Sequence, residues 1–409
     1  MSPGRLPTPR QGTALVFLVL LLLVTAGVTA QGWSVYPGLF FTEVVLLLLP
    51  TLAACRRLDL PPGSVLGLRD PAPGRPLPAL ATGAGIGVLS FAMALGLTWP
   101  AIMLLLLMGG QHPGLPLPLS GPVDLLWALA IGAVVAPVCE ELLFRGFLQS
   151  SLRSYGLHAM VWIAAVCFGL FHLDPLRFLP TTALGVVYGY LAASYRSIYP
   201  SMAAHGTNNL IALVIGYVGG AGGAQPALTY EAIEKEMVRQ FSGTGVPVSG
   251  LAPEQVVFLG ILASMALMLA GGVALAVLVA LILRGLARRA AAVAMAEPGE
   301  DPAAAGVAMP ESGEEPGPTR PVAEILGNPW VGGIAAIAVL FWGLAVWSYF
   351  RSEPGEPDPP DPPAIRTDGG VGRSAEEGQK HCAGTEATRH CSGGGHRVLV
   401  AFRSFGSGV

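Results

Sequence analysis

From residue 13 to residue 350 the chain alternates long apolar runs with short polar breaks. A helix that crosses a bilayer needs about 20 mostly apolar residues. Nine stretches read as such spans: 13–30, 39–55, 80–109, 125–152, 159–173, 181–195, 201–218, 256–283 and 330–350. The third is long enough to tilt or to run past the interface. The fourth is broken only by Glu140, Glu141 and Arg145. The expected fold is therefore all-α: a polytopic integral membrane protein with about eight or nine transmembrane helices. No internal repeat is visible.

The breaks divide the chain. Residues 1–121 hold the N-terminal transmembrane helices, and 122–218 form a core segment with unusual polar content. Residues 219–254 form an extracytoplasmic loop, in which 230–241 reads as a short amphipathic helix lying on the interface. One helix follows at 255–286. Residues 287–328, rich in Ala, Pro, Gly and Glu, read as a disordered linker. The last helix is 329–350, and 351–409 is a low-complexity tail that opens on a Pro-rich extended stretch.

Composition agrees. Hydrophobic residues make up 52% of the 409 and charged residues 12%, with mean hydropathy +0.59. An ordinary soluble domain carries about 25% charged residues, so a water-soluble globule is excluded for want of charges to coat it. The net charge of −3 offers no basic excess for nucleic acid. Five Cys are too few and too scattered for a disulfide scaffold.

Lys and Arg placement sets the orientation. With the N-terminus (Arg5, Arg10) in the cytoplasm, Arg56, Arg57, Arg69, Arg75, Arg153, Arg196, Arg284, Arg288 and Arg289 also fall inside. The outer loops before residue 350 then hold only Arg177, Lys235 and Arg239. A rival reading takes residues 1–30 as a cleaved signal peptide ending at Val28-Thr29-Ala30. The length of the run and the span that follows at once favour a retained helix.

Polar residues inside the spans carry the chemistry. An acid or Arg at mid-bilayer costs about 2.5–3.5 kcal/mol on insertion scales, so Glu140, Glu141 and Arg145 need a reason. Glu141 and Arg145 are four apart and share a helix face, where an ion pair forms. Glu140 points about 100° away and is left uncommitted. Taken alone, the triplet fits a structural clamp as well as a reactive site. Two further constellations shift that balance: Phe168-Gly-Leu-Phe-His172 near the end of one span, and His205-Gly-Thr-Asn-Asn209 in another. If the Glu140 helix continues to Arg153, Glu140 lies roughly 20 Å deep, His172 about as deep, and His205 roughly 13 Å deep. A common site within the membrane is then reachable from the cytoplasmic side.

Glu140-Glu141-x-x-x-Arg145, Phe168-x-x-x-His172 and His205-x-x-x-Asn209 resemble, in order, the three motifs of the CPBP family of CAAX proteases and bacteriocin-processing enzymes (Abi family), which includes the type II CAAX prenyl endopeptidases. The stretch from Leu184 to His205 is also similar. The resemblance covers about residues 122–218 and departs at no motif position. It implies an intramembrane endopeptidase in which Glu140 and His172 activate water, His205 and Asn209 stabilise the oxyanion, and Glu141, Arg145 and Phe168 support the site. Family members are often called metalloproteases, and Glu140, His172 and His205 would suit zinc. A metal-free glutamate mechanism uses the same residues. No His-Glu-x-x-His helix occurs, so the spacing does not demand zinc, and the reading leans towards no obligatory metal.

The implied partners are membrane lipid and a protein or peptide substrate at the membrane, with no nucleic acid. High Ala, Gly, Pro and Arg usage points to a bacterial inner membrane, where prenylated substrates are not expected. A transporter or proton relay, and a non-catalytic scaffold, stay open as alternatives. Cys139 and Cys167 read as packing residues. The tail's His381, Cys382, His390, Cys391 and His396 read as solvated, rather than as a metal site or a disulfide.

Overall fold

The computed structural model describes residues 6–71, 76–112, 117–219, 228–244, 252–296 and 320–351. Each segment expected to span the membrane coincides with a helix, and three of them (80–109, 125–152 and 159–173) run one or two residues past its end. In chain order these are α1 (Pro9–Trp33), α2 (Val35–Arg57), α3 (Pro76–Leu107), α4 (Pro122–Ser151), α5 (Leu157–Phe171), α6 (Pro175–Tyr195) and α7 (Tyr199–Gly219). Then come α8 (Tyr230–Thr244), α9 (Pro253–Ala296) and α10 (Pro329–Phe350). Among the described residues there is no strand, only an isolated bridge between His112 and Leu228. The fold is all-α.

Six helices, α1, α2, α3, α4, α9 and α10, are long and apolar enough to cross a bilayer, and α5 is a shorter apolar helix of 15 residues. The expected eight or nine thus becomes six by length and composition. The physical reason lies in α6 and α7, which interleave their apolar positions with Arg177, Thr181 and Thr182, and with His205, Thr207, Asn208 and Asn209. Large apolar side chains such as Leu104, Leu126, Val134, Trp162, Leu267 and Val277 are exposed on the outside of the bundle. Lipid tails, rather than water, are the environment such a surface fits.

Two boundaries differ from the reading of the sequence. Helix α9 continues to Ala296, into the segment read as linker, because residues 287–296 are mostly Ala, the best helix former. A short helix, Val322–Leu326, lies at the far end of that segment. The rest of the linker and the tail Cys and His residues lie outside the described residues. Helix α8 covers the stretch read as amphipathic.

The packing has two centres. Helices α1, α2, α4, α5 and α10 bury one core around Phe144, Phe147, Leu148 and Phe168. Helices α3, α6, α7 and α9 bury another around Met93, Tyr188 and Leu191. Without a hydrophobic drive between helices in lipid, close approach depends on small residues. Gly83 and Gly87, one turn apart on α3, supply it. A Cβ on Gly83 would collide with the Pro200 carbonyl oxygen, and one on Gly87 with the Ala204 carbonyl and, at 2.9 Å, with Thr207 Cβ. These two glycines seat α7, the helix that carries His205, against α3.

Proline shapes the helices that bear the buried acids. Pro50 and Pro137 each sit two residues after a stretch of wide, π-type turns, Thr42–Leu48 in α2 and Leu129–Val135 in α4. A proline ring inside a helix clashes with the carbonyl four residues back and offers no N–H. Widening the preceding turn relieves both problems. In α4 the N–H of Ala136 reaches back to the Ile131 carbonyl. The next carbonyl, Gly132, would by the same step need the N–H that Pro137 lacks. Asn209 Nδ2 donates to it instead, at 2.9 Å from α7. One residue type on one helix thus creates the demand that a polar residue on another helix meets.

Gly83→Val should therefore loosen the α3–α7 seam, at the cost of overpacking, about 1–3 kcal/mol. The measurement is the unfolding temperature of the purified full chain in detergent, expected to fall. An equal temperature would show that the seam does not need the small residue.

Candidate active site

Helix α4 is one continuous rod from Pro122 to Ser151, so Glu140 and Glu141 sit well away from its Arg153 end. A second stretch of wide turns, Leu142–Leu148, follows directly after them. Such turns concentrate at functional sites because they re-aim side chains off the regular helical spacing.

Glu141 is the hub. Its Oε1 lies 2.9 Å from Arg145 Nη1 and 3.1 Å from His205 Nδ1, and both the Glu141 and Arg145 side chains are essentially sealed from solvent. The i,i+4 pair expected from the spacing is present. Arg145 Nη2 donates to the Gly185 carbonyl on α6 at 3.3 Å. Its guanidinium lies over the Phe168 ring at 4.4 Å and the Tyr188 ring at 5.3 Å. Four helices, α4 to α7, thus meet around one ion pair.

His205 is buried and stacked on Tyr188, with ring centroids 5.1 Å apart. A carboxylate paired with Arg accepts and does not donate, so His205 Nδ1 carries the proton given to Glu141. That fixes the tautomer and leaves Nε2, which lies 3.9 Å from Glu140 Oε2. Glu140 is likewise buried, and its Oε2 has no hydrogen-bond partner among the described residues. The two adjacent acids have parted roles, one bound to Arg145 and one facing the imidazole.

His172 caps the end of α5. Its Nδ1 is 2.8 Å from the Phe168 carbonyl, which can only accept, so Nδ1 carries the proton and Nε2 holds the lone pair. The ring packs edge-on against Phe168 at 4.9 Å, and Phe168 in turn meets His205 at 5.8 Å. Phe168 therefore packs against both imidazoles. No contact of hydrogen-bond length joins His172 to Glu140 among the described residues. Asn209 gives one Nδ2 hydrogen to Gly132, as described above, and its Oδ1 accepts from Asn208 Nδ2 at 3.1 Å. An amide nitrogen has two hydrogens, so one remains beyond the structural bond.

Reading the sequence missed Glu43. It is the single acid in the 39–55 run, and it obeys the same rule that singled out Glu140. It is buried on the wide-turn stretch of α2 that packs on the Ala136–Glu141 turn of α4. Its Oε2 has no hydrogen-bond partner among the described residues, and it lies close enough to Glu140 for the two carboxylates to act on each other. A second set was also missed. Asp174 caps the start of α6, bonding the Leu176 N–H at 2.9 Å, and receives the Tyr349 hydroxyl of α10 at 2.8 Å. This carboxylate sits two residues from His172. Single polar residues at span ends, each with an innocent reading, gave no sequence signal for that pairing.

Zinc is tested by the donors. Among the described residues no three His, Cys, Asp or Glu side chains group closely enough to hold a metal ion. Glu140, His172 and His205 do not form such a group, although Glu141 and the Phe168 carbonyl hold Nδ1 of the two histidines and leave both Nε2 atoms free. Cys139 and Cys167 are buried among apolar side chains.

Residues 122–211 match the family model described as type II CAAX prenyl endopeptidase Rce1-like. No curated protein and no solved structure matches the chain. The matched stretch holds Glu140, Glu141, Arg145, Phe168, His172, Tyr188, His205 and Asn209, so the part of this membrane protein that builds the buried cluster is the part similar to the Rce1-like type II CAAX prenyl endopeptidase family.

Proposed function

We propose that this integral membrane protein is a glutamate-dependent endopeptidase that hydrolyses a peptide bond of a membrane-associated protein or peptide. The observation that carries the reading is Glu140: a buried carboxyl with an uncommitted oxygen, facing an imidazole, in the Rce1-like segment. Glu140 takes a proton from water as the oxygen attacks the scissile carbonyl. The same carboxyl then gives that proton to the leaving amine, so the proton balance closes on one residue. His172 Nε2, the unprotonated nitrogen, holds the water by accepting its second hydrogen. The remaining Asn209 N–H and a protonated His205 Nε2 face the developing oxyanion. Each such donor is worth about 3–4 kcal/mol in a site shielded from water. In that step His205 is an imidazolium whose Nδ1–H Glu141, braced by Arg145, accepts, and Phe168 and Tyr188 hold the rings.

Orientation and location follow as part of the same proposal. The arginines that close the inner ends of the helices face the cytoplasm of a bacterial inner membrane. The substrate is an unprenylated membrane protein or peptide, approached from that side.

One observation favours a second reading, a proton relay: Glu43 and Glu140 are two neighbouring buried acids on different helices. The two readings part under one substitution. In the protease, Glu140→Gln lowers cleavage by about 10²- to 10⁴-fold, the usual share of a general base, with expression and unfolding temperature kept. Quantitative proteomics of membrane-protein termini, wild type against Glu140→Gln, reads this out. Identical termini would refute the protease, and a loss of proton flux in proteoliposomes would establish the relay.

The buried ion pair generates a stability test. Arg145→Gln leaves Glu141 charged and without its cation, at a cost of about 3–5 kcal/mol. Adding Glu141→Gln should restore part of that loss. Detergent unfolding temperatures of the four proteins in the cycle measure it, and additive losses would mean the pair is not coupled.

A further inference from the structure

A partly open polar cleft lies at the Ser151 end of α4. A cavity of about 60 Å³ is lined by Arg69, Arg145, Arg153 and Arg196, together with Ser150 and Ser197. The four guanidiniums come from four places: the loop after α2, helix α4, the short turn that follows α4, and the turn between α6 and α7. No carboxylate is among the lining residues.

The walls are built, not incidental. Ser150 Oγ donates to the Val65 carbonyl at 2.6 Å, Ser197 Oγ donates to the Arg69 carbonyl at 2.7 Å, and the Ile198 N–H bonds the Gly67 carbonyl at 3.1 Å. The loop that carries Arg69 is thereby tied to α4 and to the α6–α7 turn. The serine hydrogens are spent on these ties, and Arg145 is engaged with Glu141 and the Gly185 carbonyl, so the charged donors left for a guest are Arg69, Arg153 and Arg196, beside the Gln149 amide. Arg196 adopts a left-handed backbone, φ +50°, a conformation that favours Gly or Asn. Burial, and the neighbouring charge of Arg69, lower the pKa of Arg153. Arg69, Arg153 and Arg196 thus bring like charges to one cleft without an acid in its lining.

Membrane anchoring explains arginines at helix ends, but anchors spread into the headgroup layer and do not converge on one cleft. Guanidinium forks match the oxygens of phosphate two at a time. Several positive charges without a lining acid suit a multiply charged anion better than a single carboxylate. The volume has room for several water molecules, which is the size class of one phosphate group.

We propose that this cavity is a phosphate site, which takes the phosphate monoester of a lipid headgroup or free inorganic phosphate. The site stands independently of the peptidase reading. Arg145 also pairs with Glu141, so an occupant here acts on the guanidinium that braces His205.

The test uses the purified full chain in a neutral detergent at constant ionic strength. Inorganic phosphate and, separately, phosphatidic acid in mixed micelles are titrated, with chloride and phosphatidylcholine as controls. The readouts are unfolding temperature and native mass spectrometry. The expected result is a saturable one-to-one complex with at least one of the two probes. Its affinity should fall at least tenfold in Arg153→Gln/Arg196→Gln. Binding of phosphatidic acid alone identifies a lipid guest, and binding of inorganic phosphate identifies a soluble one. If the double variant does not fold, Arg69→Gln, on the exposed loop, serves instead and should weaken binding several-fold. Uptake that never saturates, or that is equal in wild type and variant, overturns the proposal, as does a response no larger than that to the controls.

Discussion

The buried pair of Glu141 and Arg145 is the constraint on which the centre of this molecule depends. Taking two charges out of water is expensive, and their attraction repays it only when further hydrogen bonds satisfy what remains. Here the Gly185 carbonyl, His205 Nδ1 and the faces of Phe168 and Tyr188 supply that satisfaction. The partners lie on α5, α6 and α7, so the pair dictates how α4, α5, α6 and α7 are set against one another. Polar specificity does the work that apolar contacts cannot do in lipid, where every neighbour is equally greasy. Adjacent Glu140 inherits its environment from this arrangement. It is buried because its neighbour is anchored, and it remains uncommitted because its neighbour has taken the Arg.

Backbone irregularity is the second element of the design. Pro137 costs α4 a hydrogen bond, and the wide turns before it spread that loss over Leu129–Val135. The exposed Gly132 carbonyl then becomes a docking point for Asn209. The same sequence of wide turns and proline occurs in α2 around Glu43. Both helices that carry uncommitted acids are therefore distorted by the same device, and the distortion holds α7 to α4 through Asn209.

Most of the helices could be read from apolar run length alone, because in a bilayer that length is a direct physical requirement. The Glu141–Arg145 pair followed from i,i+4 spacing, whereas counting depth along helices allowed Glu140, His172 and His205 a common site without singling out the approach of Glu140 to His205. The number of crossings did not follow in the same way. Polar residues in α6 and α7 face the cluster and dilute the apolar signal that would count those helices. Glu43 was legible by the rule applied to Glu140 but lay alone in its run, with no partner on its own helix to draw attention to it. The link between Tyr349 and Asp174 joins positions 175 residues apart, and no local pattern encodes such a pairing. The sharing of His205 between two acids, and the packing of Phe168 against both imidazoles, depend on side-chain angles that sequence spacing does not specify.

Helix α10 lies outside the Rce1-like segment, yet it is fastened to the bundle at both ends. Asn328 bonds Thr13 of α1 at 3.0 Å, and Tyr349 bonds Asp174 beside His172 at 2.8 Å. Trp342 stacks edge-on with Phe178 between them. The matched segment is therefore not a self-contained module. Helix α10 acts as a structural strap across the turn next to His172, so transplanting residues 122–211 into another scaffold would carry over the buried cluster without this brace.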